Sequence, residues 1–114
     1  MANRKIIWVT FQRAGFHRYP DAPDDVGYLA NNHRHLFKFK VSIEVFHDDR
    51  EIEFHQFLRW LESLYTDILV LDYRSCEMIA DELAQVIRER YPNRDLEIEV
   101  AEDGECGVTA TYLK

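Results

Sequence analysis

Alternation of apolar and polar residues marks four segments of the chain as strands. Residues 5–12 are rich in β-branched and aromatic side chains, and residues 35–47 alternate over a longer run. Residues 96–100 and 107–113 alternate again, with the turn-forming pair Asp103-Gly104 between them. Because side chains along a strand point to opposite faces with a period of two, this pattern predicts four strands.

Two other segments have a helical period. Their apolar residues recur at spacings of three and four: Phe54, Phe57, Leu58, Leu61, Leu64 and Tyr65 in one, and Met78, Ile79, Leu83, Val86 and Ile87 in the other. This spacing predicts two amphipathic helices, the second with Ser75 as its N-cap and an end at residues 91–93. Residues 66–72 are predicted to be a short apolar connection. Residues 15–32 are predicted to be a long loop, a feature that is usually functional or disordered in a small domain.

The resulting order, β-β-α-α-β-β, predicts a single α+β domain over residues 1–114, with two helices packed on a four-stranded sheet. Two helices cover only one face of such a sheet, and the strands at its edges have unpaired backbone groups. We therefore expect a homo-oligomer.

Composition excludes several classes of function. The chain has 114 residues, of which 46% are apolar, and a net charge of −7 without a long basic run. This balance disfavours binding to nucleic acid or to an anionic membrane surface. No apolar run reaches the ~18 residues of a membrane span, and the first residues lack a signal-peptide core. Cys76 and Cys106 lie far apart without metal-ligand spacing, so buried free thiols and a cytoplasmic location are expected.

Three histidines are the candidate metal ligands of the chain. His33 and His35 point to the same side if Arg34 is extended, and His17 lies in the segment before the long loop. Three imidazoles can fill three of the four positions around zinc and leave one open for water or a substrate, as in catalytic sites. A His-x-His pair alone is more often solvated surface. His47 and His55 are predicted to be surface or helix-end residues.

Several segments, in order, carry a family resemblance. Residues 13–17 read Arg-Ala-Gly-Phe-His, and His33-Arg34-His35 leads into the long strand. The later segments are Glu53-Phe54, Arg74-Ser75-Cys76-Glu77, Glu102 and Tyr112. Together they resemble the motifs of the 6-pyruvoyl-tetrahydropterin synthase and 6-carboxy-tetrahydropterin synthase family. The resemblance covers nearly the whole chain and implies the tunnelling fold, in which antiparallel four-stranded subunit sheets form a barrel.

The resemblance also implies roles for individual residues. His17, His33 and His35 would hold zinc, and Glu102 would accept hydrogen bonds from the amino-pyrimidine edge of a pterin, with Ser75 and Glu77 matching the family's substrate-binding segment. The implied substrate is 7,8-dihydroneopterin triphosphate or a related pterin. Family members serve tetrahydropterin or queuosine-type deazapurine synthesis and assemble as hexamers of two trimers.

The chain departs from the family at its proton-transfer groups. The family has a catalytic Cys about four residues before His-x-His, whereas residues 27–32 contain none. In the family's Asp-His pair the His position is Ile68 here, and Asp67 matches the Asp. Asp67, Asp24 or Asp25 are the candidate replacement bases.

Two functions therefore stay open. One is a zinc-dependent pterin lyase of the synthase type. The other is a non-catalytic module that binds a pterin, purine or nucleotide on the same scaffold. A third, plainer possibility is an oligomeric α+β protein whose histidines bind nothing.

Overall fold

The computed structural model describes residues 3–114. It has one five-stranded sheet with the strand order β3-β1-β2-β4-β5, two α-helices and one 3-10 helix. The strands are β1 (Lys5–His17), β2 (His33–Val45), β3 (Ile68–Asp72), β4 (Leu96–Glu102) and β5 (Cys106–Tyr112). The α-helices are α1 (Phe54–Ser63) and α2 (Cys76–Arg90), and the 3-10 helix is Asp24–Ala30. The predicted α+β class is confirmed.

The two longest strands, β1 and β2, form an antiparallel pair that runs the length of the sheet. Their register extends from Lys5 opposite Val45 to His17 opposite His33. The first strand was predicted to end at residue 12, and residues 15–17 were assigned to the loop; both bounds are wrong. The strand continues because its last residues also pair with β3 on the other side.

The predicted four strands become five, and the sheet is not wholly antiparallel. Residues 66–72, predicted to be a connection, contain β3, which pairs with β1 in parallel orientation. Leu69 and Leu71 are buried, while Ile68 and Val70 are exposed, so the segment does alternate with a strand period. The segment is only five residues long and apolar on both faces, so its sequence alone does not distinguish a strand from an apolar connection.

Both α-helices pack on one face of the sheet, as predicted. Buried residues of β1, β2, β3 and β4 join those of α1 and α2 in one core cluster, which includes Phe37, Phe39, Phe57, Leu61 and Ile87. The alternate strand positions, such as Trp8 and Glu99, are exposed on the uncovered face. Ser75 caps α2 by accepting a hydrogen bond from the Met78 amide at 3.2 Å, as predicted.

Glu53 takes the corresponding place at α1. Its carboxylate accepts hydrogen bonds from the His55 and Gln56 amides, which satisfies two of the free N–H groups at the start of the helix. The residue that resembles a family motif is thus an N-cap in this chain. Within residues 3–114, no helix is both long enough and apolar enough to cross a membrane.

Candidate metal centre

The three predicted histidines meet at one end of the β1–β2 pair. His17 is the last residue of β1 and lies directly opposite His33, the first residue of β2. His35 lies two residues further along β2 and so points to the same face of the sheet. One nitrogen from each ring lies within 4.8 Å of the others. The structure therefore brings together the triad that the sequence predicted.

Each imidazole is held through its Nδ1 atom. The His17 Nδ1 lies 2.9 Å from the Arg74 carbonyl, and the His33 Nδ1 lies 2.9 Å from the Asn31 carbonyl. Since a carbonyl oxygen only accepts hydrogen bonds, Nδ1 must carry the proton in both rings. The His35 Nδ1 donates in the same way to Asp103 Oδ2 at 2.7 Å. Such partners fix the tautomer and orientation of metal-binding histidines.

This anchoring leaves the Nε2 atom of each ring as the one that can bind a metal ion. The His35 Nε2 is buried and has no hydrogen-bond partner, which costs free energy unless something else binds it. His17 is 7% exposed, so its ring is also shielded from solvent. Convergent neutral imidazoles suit zinc and other borderline divalent metals. The residues present thus fit a metal ion.

Beneath the histidines, Phe37 forms an apolar floor. Its side chain is fully buried, and its ring packs edge-on against those of His17 and His35, with centroid distances of 5.1 and 5.7 Å. Gly15 lies opposite His35 on β1 and leaves space for this packing. A Cβ at Gly15 would lie 2.8 Å from the Leu69 Cβ and 3.1 Å from the Phe37 ring.

The β4–β5 hairpin brings two carboxylates to the histidines. Glu102, at the end of β4, places Oε2 3.0 Å from the His17 Nε2 and Oε1 3.6 Å from the His35 Nε2. Asp103 and Gly104 follow with φ values of 58° and 71°, the left-handed pair that an Asp-Gly turn adopts readily. Asp103 also accepts the Leu36 amide at 2.8 Å. The Leu36 amide, followed by the His35 ring, lowers the pKa of the Asp103 carboxyl.

Two cysteines, which were expected to be free thiols without a functional role, flank Glu102. The Cys76 Sγ and the Cys106 Sγ lie 3.9 Å from Glu102 Oε2 and Oε1, respectively. Cys76 is buried as expected, but Cys106 is exposed, contrary to the expectation of two buried thiols. Burial and then the Glu102 charge raise the pKa of Cys76 to about 12, and the same causes raise that of Cys106. Both groups are therefore neutral S–H donors to the carboxylate.

A cavity of about 520 Å³ opens beside the histidines. It is lined by His17 and His33, by the start of α2 and by the β4–β5 hairpin. The three predicted substrate-binding residues, Ser75, Glu77 and Glu102, all lie in its wall. A cavity of this volume can hold a small-molecule ligand of the size of a heterocycle.

The three candidate bases are not brought to this cavity. Asp24 and Asp25 lie exposed in the first turn of the 3-10 helix, and neither is part of the cavity wall. Asp67 is exposed just before β3, whose last residue rather than its first lies beside His17. Within one chain, β3 runs parallel to β1 and carries Asp67 away from the histidines.

The other two histidines are surface residues, as predicted. His47 is exposed and accepts the Asp49 amide at 3.2 Å, and His55 is exposed in the first turn of α1. The metal-ligand cluster among the described residues contains neither of them.

Comparison with known proteins supports the fold alone. No protein-family model matches the chain, and no curated protein matches it. The structure is similar to the crystal structure of uncharacterized protein WS1659 from Wolinella succinogenes, with 13% sequence identity and a TM-score of 0.68. The match covers 96% of this chain and 98% of that chain. The two proteins share an α+β fold over nearly their whole lengths.

Proposed function

We propose that this chain binds zinc through His17, His33 and His35 and uses the site to hold 7,8-dihydroneopterin triphosphate or a related pterin. The main support is the convergence of three Nδ1-anchored imidazoles, two of which, His17 and His33, line a cavity of about 520 Å³. The resemblance of the sequence to 6-pyruvoyl- and 6-carboxy-tetrahydropterin synthases, and to their tunnelling fold, supports a pterin as the ligand.

Each part of the site has a role in this proposal. Zinc bound there would polarise hydroxyl or carbonyl oxygens of the ligand and lower the pKa of a coordinated hydroxyl. A carboxylate such as that of Glu102 accepts two parallel hydrogen bonds from an amino group and the adjacent ring N–H of a pterin. Ser75 and Glu77 lie in the same wall and restrict where the ligand fits.

A second candidate is a non-catalytic module that binds a pterin, purine or nucleotide on the same scaffold. The placement of Asp24, Asp25 and Asp67 outside the cavity wall favours it, because synthase chemistry requires groups that take and return protons at the substrate. Cys76 and Cys106 also lie in the wall, but by their positions in the sequence they are poor replacements for the family's missing Cys.

The deciding experiment measures both turnover and binding. Zinc-loaded protein is mixed with 7,8-dihydroneopterin triphosphate, products are separated by chromatography, and binding is followed by calorimetry. The control is a His33→Ala/His35→Ala double variant. Turnover that disappears in the control supports the synthase. Zinc-dependent binding without turnover supports the binding module. Neither turnover nor binding by zinc-loaded protein contradicts both.

We further propose that the chain assembles as a homo-oligomer, a hexamer of two trimers by resemblance to the family. Edge strand β3 has apolar side chains in solvent: Val70 is 81% exposed and Ile68 is 55% exposed. Trp8, on the uncovered face, is 58% exposed. Exposed apolar groups on an unpaired edge and face favour association. A mass of one subunit by light scattering at micromolar concentration would contradict this proposal.

A further inference from the structure

Glu102 lies closer to the histidines than a residue that only anchors a ligand needs to be. Its side chain is 24% exposed, and each carboxylate oxygen faces one histidine: Oε2 faces His17 and Oε1 faces His35. The position is determined by the fold, because Glu102 pairs with Phe37 on β2 and with Cys106 on β5. The sheet thus places the carboxylate beside two members of the triad, His17 and His35.

The position of the proton on the His17 ring bears on this contact between His17 and Glu102. His17 donates its Nδ1 proton to the Arg74 carbonyl, so Nε2 is the ring nitrogen that can bind a metal ion. This Nε2 lies 3.0 Å from Oε2 of Glu102. An unprotonated nitrogen and a carboxylate oxygen at this distance repel each other unless a proton or a metal cation binds them. With three imidazoles converging on the same point, a divalent metal ion satisfies the arrangement.

The distances also suit shared coordination. Zinc–ligand bonds of about 2.0–2.1 Å in a tetrahedron separate neighbouring ligand atoms by roughly 3.3 Å. The two contacts of Glu102, 3.0 Å to the His17 Nε2 and 3.6 Å to the His35 Nε2, bracket this value. We propose that Glu102 is the fourth ligand of the metal in the ligand-free protein. A His₃Glu set closes the coordination sphere that three histidines alone would leave open.

The two cysteines add support. Cys76 and Cys106 approach opposite oxygens of Glu102, each at 3.9 Å, and so hold the carboxylate in one orientation. Partners of this kind are a regular feature of metal-binding carboxylates. The inference rests on the proposed metal site and deepens it: an incoming ligand must displace Glu102 from the metal. The released carboxylate is then free to hydrogen-bond that ligand.

Cobalt(II) in place of zinc provides the test, since its visible spectrum reports its ligands. Free imidazole is titrated into the cobalt form of the parent, Glu102→Ala, Glu102→Gln and the control Glu105→Ala. At about pH 8 or above, free imidazole is mostly neutral, so a mere loss of negative charge does not alter its binding much. Glu105 is an exposed acid of the same hairpin that contacts none of the three histidines.

We expect imidazole to bind Glu102→Ala at least about tenfold more tightly than it binds the parent or Glu105→Ala, because a coordination position is open. The cobalt affinity of Glu102→Ala should fall by about tenfold or more, and Glu102→Gln should lie between. Equal imidazole affinity and equal cobalt affinity in parent and Glu102→Ala would overturn the inference while leaving the triad intact. A parent protein that binds no cobalt would instead overturn the proposed metal site.

Discussion

Replacing Asp103 with Asn should weaken metal binding without unfolding the site. The two carboxylate oxygens of Asp103 have separate tasks: Oδ1 accepts the Leu36 amide at 2.8 Å, and Oδ2 accepts the His35 Nδ1 proton at 2.7 Å. An Asn side chain has one oxygen and one NH₂ group, so it can perform only one of these tasks. It tolerates the positive φ of 58° at this position, so the turn is kept.

The size of the effect follows from what His35 loses. If the Asn oxygen keeps the Leu36 amide, its NH₂ group faces the His35 Nδ1 and drives the ring towards the tautomer whose proton sits on Nε2, the atom that faces the proposed metal site. If the oxygen instead accepts the Nδ1 proton, the NH₂ group faces the Leu36 N–H and the ring loses the charged partner that held it. Loss of such an orienting partner typically weakens metal affinity about 10–100-fold. We expect Asp103→Asn to fall in this range, since the His17 and His33 anchors remain.

Competition with a chromophoric chelator at constant pH measures this affinity. The matched control is Glu105→Gln, which makes the same chemical change two residues further along the same turn. Circular dichroism of the metal-free proteins checks that the fold is unchanged. If Asp103→Asn binds zinc as tightly as the parent and the control do, then Asp103 neither orients the His35 ring nor determines which of its nitrogens carries the proton.

Three further predictions concern stability. The hydrogen bond from Arg94 holds the pKa of Glu51 at about 2, below its usual 4.5, so the pair should stabilise the fold above about pH 4.5 and lose that contribution as pH falls towards 2. Urea titrations at pH 7 should show Glu51→Gln to be about 1–2 kcal/mol less stable; an equal loss at pH 2.5 would contradict this. Gly15→Ala should cost about 1–3 kcal/mol because its Cβ meets Leu69, and an unchanged melting temperature would refute the tight packing. Ser75→Ala should cost about 1 kcal/mol and Ser75→Asp should restore most of it, as measured by thermal melting; equal stability of the three proteins would show that the cap is unimportant.

Hydrophobic periodicity was sufficient for most of the fold. The helices α1 and α2 have continuous three-and-four spacing, and β2, β4 and β5 have clear alternation, so local pattern and tertiary packing agree. It failed at β3, because a five-residue apolar segment at a sheet edge has too few positions to separate a strand from a connection. The missed end of β1 is related, since residues 14–17 pair with this missed strand on one side as well as with β2 on the other.

The histidine triad was predictable because its signal is partly local. His33 and His35 share a strand, so their common direction follows from the period of two. The position of the two cysteines was not predictable from the sequence, because their proximity to Glu102 depends on how α2 and the β4–β5 hairpin meet around the triad. The candidate bases Asp24, Asp25 and Asp67 were assigned by analogy with the family, and the direction of β3 and the position of the 3-10 helix place them elsewhere.

Elemental analysis of the purified protein tests the proposed metal site. The protein is purified without a histidine tag, supplied with zinc, freed of excess metal and compared with the His33→Ala/His35→Ala double variant. We expect about one zinc per chain in the parent and a large loss of zinc in the variant. Circular dichroism should show that both proteins are folded. No bound zinc in the folded parent, or equal zinc in parent and variant, would contradict the proposed metal site.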